Sequence, residues 1–216
     1  MKTYFYVDGF NLYYGALKGT AYRWLNLHEL FGRLFPRNQI VRIKYFTARV
    51  KPLPSDPDKP VRQQLLFRAL GTIACLDIVE GHYLSHPKWM PLVRPTSAEK
   101  FANVMITEEK GSDVNIASHL LFDAFTDKFE CAIVVSGDSD LATPIEMVKT
   151  QIKKPVGVLL PQMLSSHTNK NPRRSAKLQL VATFFRSEIR EGVLKASQFP
   201  DIMTDKHGQF RKPTAW

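Results

Sequence analysis

A short run of apolar residues that ends in two carboxylates places the strongest constraint on how this chain folds. Residues 132–135 are Ala-Ile-Val-Val, and a Ser-Gly turn then leads into Asp138 and Asp140. A continuous apolar run bounded by Gly and Ser is typical of a strand buried inside a parallel sheet. Residues 143–154 follow with a helical pattern, so both carboxylates fall where a strand ends and a helix begins. In an open α/β sheet, ligands bind at that edge.

Strand-like and helix-like segments alternate along the chain, which predicts an α/β fold with a mostly parallel sheet and helices on both faces. The predicted strands are 3–7, 40–46, 76–83, 101–107, 132–135 and 156–160. The predicted helices are 12–17, 27–34, 61–73, 114–125, 143–154 and 177–185. Residues 86–96 contain three prolines and are expected to leave the sheet as an excursion. We expect a folded domain over residues 1–190 and a loosely held C-terminal tail over 191–216.

Two further acidic turns are placed to meet the first one. Asp8 follows the apolar strand near the N-terminus, and Asp113 comes directly before the helix that starts at residue 114. Right-handed crossovers put the carboxyl ends of parallel strands on one edge. We therefore expect Asp8 and Asp113 to face the same crevice as Asp138 and Asp140.

Each of these aspartates also has a structural interpretation. Asp8 is suited to form the turn next to Gly9, and Asp113 is suited to cap its helix, because Asp is a good N-cap residue. Capping explains Asp138 and Asp140 less well, since Thr143 is available to cap the following helix. Three acidic turns after three apolar strands are harder to explain as caps than any single one.

Converging carboxylates indicate a divalent metal ion. Carboxylate oxygens are natural ligands of Mg²⁺ and Mn²⁺. Several of them close together without a cation would repel, and some would take up protons. A bound ion removes that penalty and can generate hydroxide, polarise a phosphorus centre and stabilise a leaving oxygen. The sequence leaves open whether one or two ions bind.

The overall charge favours a polyanionic partner. The formal net charge is +10 and the sequence pI is about 9.6, so nucleic acid is the first expectation and an anionic membrane surface the second. No apolar run has a length that would span a membrane, and the N-terminus lacks the pattern of a signal peptide. The two cysteines do not suggest a disulfide framework, which favours a cytoplasmic protein. A homodimer stays open.

Three segments together resemble the motifs of the NYN domain family, the LabA-like branch of the PIN-like nucleases. They are Val-Asp-Gly-Phe-Asn-Leu at 7–12, Glu-Glu-Lys-Gly-Ser-Asp-Val at 108–114 and Ser-Gly-Asp-Ser-Asp at 136–140. The resemblance spans about residues 3–185 and implies a Rossmann-like PIN fold with an acidic Mg²⁺- or Mn²⁺-dependent site that cleaves RNA. The metal ligands that it implies are Asp8, Asp113, Asp138 and Asp140. The polar residues that it implies for orienting ligands or water are Asn11 and Ser136.

One position departs from the family pattern. The last helix of the family commonly carries an Ala-Asp pair before an aromatic residue, but here Ala182 is followed by Thr183 and Phe184. A carboxylate carried by that helix is therefore missing. This departure weakens any mechanism that needs it.

Basic and aromatic residues near the acidic turns are candidates for contacting substrate. Lys110 is placed either to hold a phosphate or to pair with a neighbouring glutamate. Lys170, Arg173 and Arg174 follow the last predicted strand, where they would track a nucleic-acid backbone or form a solvated loop. Tyr13 is placed to stack on an unpaired base or to pack in the core.

The main hypothesis is a metal-dependent ribonuclease, most simply an endonuclease. The alternative is a regulatory module that binds RNA or protein with little turnover, which the missing carboxylate at Thr183 favours. A phosphatase with an aspartate nucleophile ranks lower. Phe10 stands where the haloacid-dehalogenase-like pattern would place its second aspartate.

Overall fold

The centre of the protein is a six-stranded sheet in which all neighbouring strands are parallel. The computed structural model describes residues 1–52, 54–95, 99–164 and 175–216. Its strands are β1 (Lys2–Asp8), β2 (Gln39–Thr47), β3 (Leu76–Glu80), β4 (His82–Pro91), β5 (Phe101–Lys110), β6 (Cys131–Val135), β7 (Val156–Leu159), β8 (Met163–Leu164), β9 (Phe184–Arg186), β10 (Ile189–Arg190), β11 (Ile202–Asp205) and β12 (Gly208–Arg211). The order in the central sheet is β3-β2-β1-β6-β7-β9.

Helices connect most of these strands. They are α1 (Gly9–Leu12), α2 (Leu27–Leu34), α3 (Lys59–Leu70), α4 (Ser112–Phe125), α5 (Ala142–Thr150), α6 (Ala176–Val181) and α7 (Glu191–Ala196). A π-helical turn, Tyr13–Leu17, continues α1, and a 3₁₀ turn, Ser139–Leu141, precedes α5. In the described part of the chain, no helix combines the length and apolar character needed to cross a membrane.

The side chains of the sheet alternate between two buried layers, which confirms the predicted α/β class. Phe5 of β1 stacks on Phe31 of α2 with the ring centroids 4.2 Å apart, in a layer that also includes α3 and α7. Tyr6 of the same strand points into the opposite layer, which contains α4, α5 and α6. Every residue of β6 is buried, as its continuous apolar sequence predicts.

The centre of the sheet is also its topological switch point. β1 and β6 are neighbours, but the chain passes from β1 to β2 on one side and from β6 to β7 on the other. At such a point the loops after the two strands diverge and leave a crevice at the carboxyl edge. Asp8 and the turn after β6 lie at this crevice.

Residues 101–107 form a strand, but the prediction that it belongs to the main sheet is wrong. Strand β5 pairs instead with β4 in an antiparallel hairpin, residues 82–110, which we call the arm. The excursion predicted over 86–96 does leave the main sheet, and its residues 86–91 are ordered as the second half of β4. Prolines fit here because each strand of a two-stranded hairpin has a free edge that requires no N–H donor.

The C-terminal part of the chain also differs from expectation. The helix predicted over 177–185 ends at Val181, and Phe184–Arg186 form the edge strand β9. Two consecutive phenylalanines suit a strand packed against the sheet better than the last turn of a helix. The strand predicted over 156–160 is therefore not the last strand of the sheet.

Residues 191–216, which we expected to be loosely held, are instead folded against the domain. Helix α7 and the hairpin β11–β12 bring Phe199, Phe210 and Trp216 around the buried indole of Trp24. The indole nitrogen of Trp24 donates a hydrogen bond of 2.8 Å to the carbonyl of Pro200. The tail interpretation failed because the aromatic partners are far apart in sequence and lack helical or strand periodicity. The boundary at residue 190 remains a prediction.

A buried ionic cluster joins the sheet to α4. Lys44 of β2 forms an ion pair with Asp123 of α4, and both side chains are largely removed from solvent. The hydroxyl of Tyr6 donates to the same carboxylate at 2.8 Å, and His119 Nδ1 lies 3.1 Å from the ammonium. Because Asp113 lies at the start of α4, this cluster helps to fix the helix that carries one of the acidic site residues.

We predict that Asp123→Asn lowers the free energy of unfolding by about 3–5 kcal/mol, because it leaves the ammonium of Lys44 buried without a counter-charge. The matched control is Asp127→Asn, since Asp127 also pairs with a lysine but is 89% exposed. Urea denaturation should give a much smaller loss for that exposed pair, because solvent screens it. Equal losses in the two variants would contradict the assigned role of the cluster.

Candidate active site

Asp8 is the buried centre of the acidic site. It is only 3% exposed at the end of β1, and its Oδ1 accepts a hydrogen bond of 2.9 Å from the backbone N–H of Asn11. Its Oδ2 accepts from Asn11 Nδ2 at 2.7 Å and from Ser136 Oγ at 2.9 Å. Burial raises the pKa of Asp8, these hydrogen bonds lower it, and the charge of Asp138 raises it. Asp8 therefore caps α1, whereas the structural interpretation expected it to form a turn beside Gly9, and it also faces the crevice.

Asn11 and Ser136 bind the two central strand ends together. Asn11 Oδ1 accepts a hydrogen bond of 3.1 Å from the N–H of Gly137, while Ser136 Oγ accepts one of 3.1 Å from the N–H of Asp138. Both side chains thus touch Asp8 and also the turn after β6. Their donors and acceptors leave the Asp8 carboxylate with a fixed orientation.

Asp138 and Asp140 lie in the turn after β6, where the sequence predicted them. Asp138 is half-buried and its Oδ1 accepts a hydrogen bond of 2.9 Å from the N–H of Asp140, which is exposed. Helix α5 begins at Ala142, so the prediction that Thr143 caps it is wrong. Asp138 itself caps the short 3₁₀ turn that precedes the helix.

Asp113 is not a helix cap. The N-cap of α4 is Gly111, whose φ of 101° lies in the left-handed region that favours glycine. The N–H and hydroxyl of Ser112 donate instead to Oε1 of Glu109, at 3.2 and 2.9 Å. The Asp113 carboxyl is therefore left to interact with the other acids.

The pKa of Asp113 is sensitive to the carboxylates around it. Partial desolvation, followed by the charges of Asp138, Asp8, Glu109 and Asp140, raises it to about 6. A carboxyl whose pKa is raised by several neighbouring carboxylates is typical of a functional site. The carboxylates from three separate segments therefore share one electrostatic environment.

The donor set suits a hard divalent cation, since every candidate ligand is a carboxylate oxygen. Across residues 1–52, 54–95, 99–164 and 175–216, however, no three His, Cys, Asp or Glu side chains are arranged closely enough to hold an ion as they stand. The chemistry of the site thus fits Mg²⁺ or Mn²⁺. Complete coordination would require adjustment of the exposed carboxylates, because the buried Asp8 is held by its hydrogen bonds.

The structure gives a different outcome for each group of predicted substrate-binding residues. Lys110 pairs with Glu108 at 2.6 Å, which is the alternative that the sequence left open. Tyr13 packs against the core and meets Tyr14 edge-on. Lys170, Arg173 and Arg174 lie outside the described residues.

Thr183, which stands where the family commonly carries an aspartate, lies away from the acidic crevice. Thr183 Oγ1 accepts a hydrogen bond from the N–H of Val156, and its own N–H donates to the Val156 carbonyl. Val156 is the first residue of β7, so Thr183 lies at the amino edge of the sheet, opposite the acidic crevice.

Sequence reasoning missed two residues beside the acidic turns. Glu109 entered it only as a partner for Lys110, yet it caps α4 and raises the pKa of Asp113. Tyr45 packs so closely on Gly9 that a Cβ there would lie 2.7 Å from its ring. Burial, then the charge of Asp8, raises the pKa of Tyr45. The glycine directly after Asp8 was the available signal for that close approach.

Two cavities adjoin the crevice. An aromatic cavity of about 130 Å³ lies beside Tyr45, and an open cleft of about 550 Å³ lies beside Asn11 and Gly137. Phe10 and Tyr14 line both. Side chains that also line the aromatic cavity are Tyr13, Arg23, Lys59, Arg62, Phe67 and Trp216.

Comparisons with known proteins agree with this architecture. The family model described as NYN domain matches residues 2–179. The chain is 28% identical to 6-hydroxy-3-succinoylpyridine 3-monooxygenase HspA of Pseudomonas putida (strain DSM 28022 / S16), in an alignment of 243 residues that covers 100% of this chain and 75% of that protein. The fold is similar to the crystal structure of VPA0982, a protein of unknown function from Vibrio parahaemolyticus RIMD 2210633. That similarity has a TM-score of 0.54 and 20% identity over 88% of this chain and 93% of the other, and it shows the fold alone.

We predict that the Asp113 carboxyl titrates near pH 6 and that Asp138→Asn lowers this pKa, because the substitution removes a neighbouring negative charge. Carboxyl ¹³C chemical shifts followed against pH would measure both values. The control is Asp201→Asn, which changes an exposed carboxylate outside this group of acids. An Asp113 pKa that stays the same in Asp138→Asn would contradict the proximity of the two turns.

Proposed function

Because the chain belongs to the NYN domain family, we propose that it is a divalent-metal-dependent ribonuclease that cleaves RNA within the strand. The observation that carries this proposal is the meeting of acidic turns at the switch point of the sheet, where Asn11 and Ser136 join Asp8 to the turn of Asp138 and Asp140. The charges of these acids also raise the pKa of Asp113. Charge crowding of this kind is relieved by a cation. Basic proteins with such a site are suited to polyanionic substrates.

The residues that would hold Mg²⁺ or Mn²⁺ are Asp8, Asp113, Asp138 and Asp140. When bound, such an ion supplies a nucleophile at neutral pH and stabilises charge on a phosphoryl group. Asn11 and Ser136 act as positioning residues, because their hydrogen bonds orient Asp8. The open cleft beside Asn11 is the entry that would admit a phosphodiester strand.

We predict that the purified protein cleaves labelled RNA when Mn²⁺ or Mg²⁺ is added, and that Asp138→Asn abolishes cleavage. Ser136→Ala should lower the rate by about 10- to 100-fold, since it removes a hydrogen bond that orients a ligand rather than the ligand itself. Asp201→Asn is the control for an exposed carboxylate away from the crevice. Thermal denaturation of each variant shows whether it is folded.

The outcomes separate the competing functions. Normal cleavage by a folded Asp138→Asn variant would overturn the site assignment. Tight binding of RNA by the wild type, with no products under either ion, would instead favour a regulatory RNA-binding module. Calorimetric titration with Mn²⁺ provides a measure of ion binding that does not depend on turnover.

A second candidate is oxidation of a small aromatic acid. It is favoured by the relative named as a monooxygenase and by the aromatic cavity, where Lys59 stands beside Tyr45 and Phe67. The neighbouring Arg62 is already paired with Asp56 of the same cavity. Rings and cations in one cavity suit a planar substrate that carries a carboxylate. Oxygen chemistry of this kind is carried by cofactors or metals, so the chain itself would bind and orient the substrate.

Filling the aromatic cavity distinguishes the two candidates. We predict that Leu66→Trp leaves cleavage of RNA unchanged, because Leu66 lines the cavity but not the open cleft. If the chain oxidises an aromatic acid, the same substitution should abolish binding of 6-hydroxy-3-succinoylpyridine, measured by calorimetry. Binding of that compound by the wild type together with absent cleavage of RNA would favour the second candidate.

A further inference from the structure

The arm projects from the carboxyl edge of the sheet, between the end of β3 and the start of α4. Its strands pair over ten residues each, from His82 with Lys110 to Pro91 with Phe101. A two-stranded hairpin is marginally stable by itself in water. This arm nevertheless exposes large apolar side chains, and clusters of that kind mark interaction sites.

One face of the arm begins at the acidic crevice. Residues paired across an antiparallel hairpin have their side chains on the same face. The pair Ser85 and Thr107 is an example, since their hydroxyl oxygens are hydrogen-bonded at 3.0 Å. At the base of this face, the ring of Tyr83 meets Phe10 edge-on, with centroids 5.8 Å apart. Its partner in the hairpin is Glu109, which belongs to the acidic group around Asp113. We call this side of the hairpin the crevice face.

Further along the arm, the crevice face carries two exposed rings and one exposed methionine. Trp89 is 67% exposed, Phe101 is 56% exposed and Met105 is 68% exposed. Strand geometry places Trp89 about 20 Å from Tyr83, since strands rise by about 3.3 Å per residue. The crevice face thus runs from the acidic site, past the hydroxyls of Ser85 and Thr107, to an exposed apolar surface towards the tip.

The charge of the arm identifies the kind of partner. The outer part of the arm, residues 84–107, contains the cations Lys88, Arg94 and Lys100 and the acid Glu99, while Glu108, Glu109 and Lys110 lie at its base. Lys88 pairs with Val104 and therefore lies on the face opposite Trp89. Arg94 and Lys100 are exposed near the tip. Exposed rings beside cations are the combination that binds single-stranded nucleic acid, because bases stack on the rings while phosphates contact the cations.

We propose that the crevice face of the arm binds unpaired bases of an RNA strand whose backbone enters the acidic crevice. This inference rests on the proposed function and adds to it a binding surface outside the acidic crevice, which takes the single-stranded segment next to the cleavage site. Trp89 is the main stacking residue. Phe101 and Met105 extend the same surface.

Binding is tested apart from cleavage by titrating single-stranded RNA of about a dozen nucleotides into protein with EDTA. Trp89→Ala should weaken binding by roughly 5- to 100-fold, as expected for the loss of one base–aromatic stack, while Trp89→Phe should retain most of the affinity. The matched control is Met90→Ala, because Met90 is the next residue, is 42% exposed and lies on the opposite face. RNA should also quench tryptophan fluorescence in the wild type and much less in Trp89→Ala, which keeps the buried Trp24 and the half-buried Trp216.

Cleavage then separates this inference from the proposed function. With Mn²⁺, Trp89→Ala should slow cleavage of the longer RNA but not that of a dinucleotide, which cannot reach the ring. Trp89-dependent binding without cleavage would support the arm and overturn only the nuclease. Cleavage with equal RNA affinity in Trp89→Ala and wild type would overturn only the arm. The inference would also be overturned if the protein bound no RNA. A dimer that Trp89→Ala converts to monomer, with RNA affinity unchanged, would overturn it too.

Discussion

The hydrogen bonds around Asp8 are the interaction on which the candidate site depends. A buried carboxylate is costly unless its oxygens are satisfied, and here the backbone and amide of Asn11 and the hydroxyl of Ser136 satisfy them. The same two side chains also bind the turn after β6. The end of one strand is thereby fixed to the end of its neighbour, and the exposed aspartates are arranged around a rigid centre.

The topology of the sheet explains why the hydrogen bonds around Asp8 lie beside an open crevice. Strands β1 and β6 are adjacent, but their connections leave in opposite directions. The loops therefore separate above the place where both strand ends contribute side chains. Helix α4 adds Asp113 from a third direction, and its position is fixed by the buried pair of Lys44 and Asp123 beneath it.

The sequence predicted the parallel sheet and the acidic turns because both depend on local patterns. The apolar run before Asp138 could be read as a buried strand, and the glycine beside Asp8 as a tight turn. The arm, the edge strand at Phe184 and the packing of Trp216 depend on contacts between distant residues, for which periodicity gives no signal. Capping was also misassigned, because the N-caps of α4 and α5 are Gly111 and Leu141 rather than Asp113 and Thr143. Glu109 instead accepts from the N–H of Ser112, and Asp138 caps the 3₁₀ turn before α5.

The two ends of the arm have a consequence for how chains of this architecture diversify. Gly81 and Gly111 approach so closely that a Cβ on Gly111 would lie 3.9 Å from the Cα of Gly81. An insertion that leaves and re-enters a domain at neighbouring points can change length without disturbing the rest. Natural variation in the hairpin can therefore alter which molecules a protein of this shape captures, while the inherited arrangement of carboxylates stays intact.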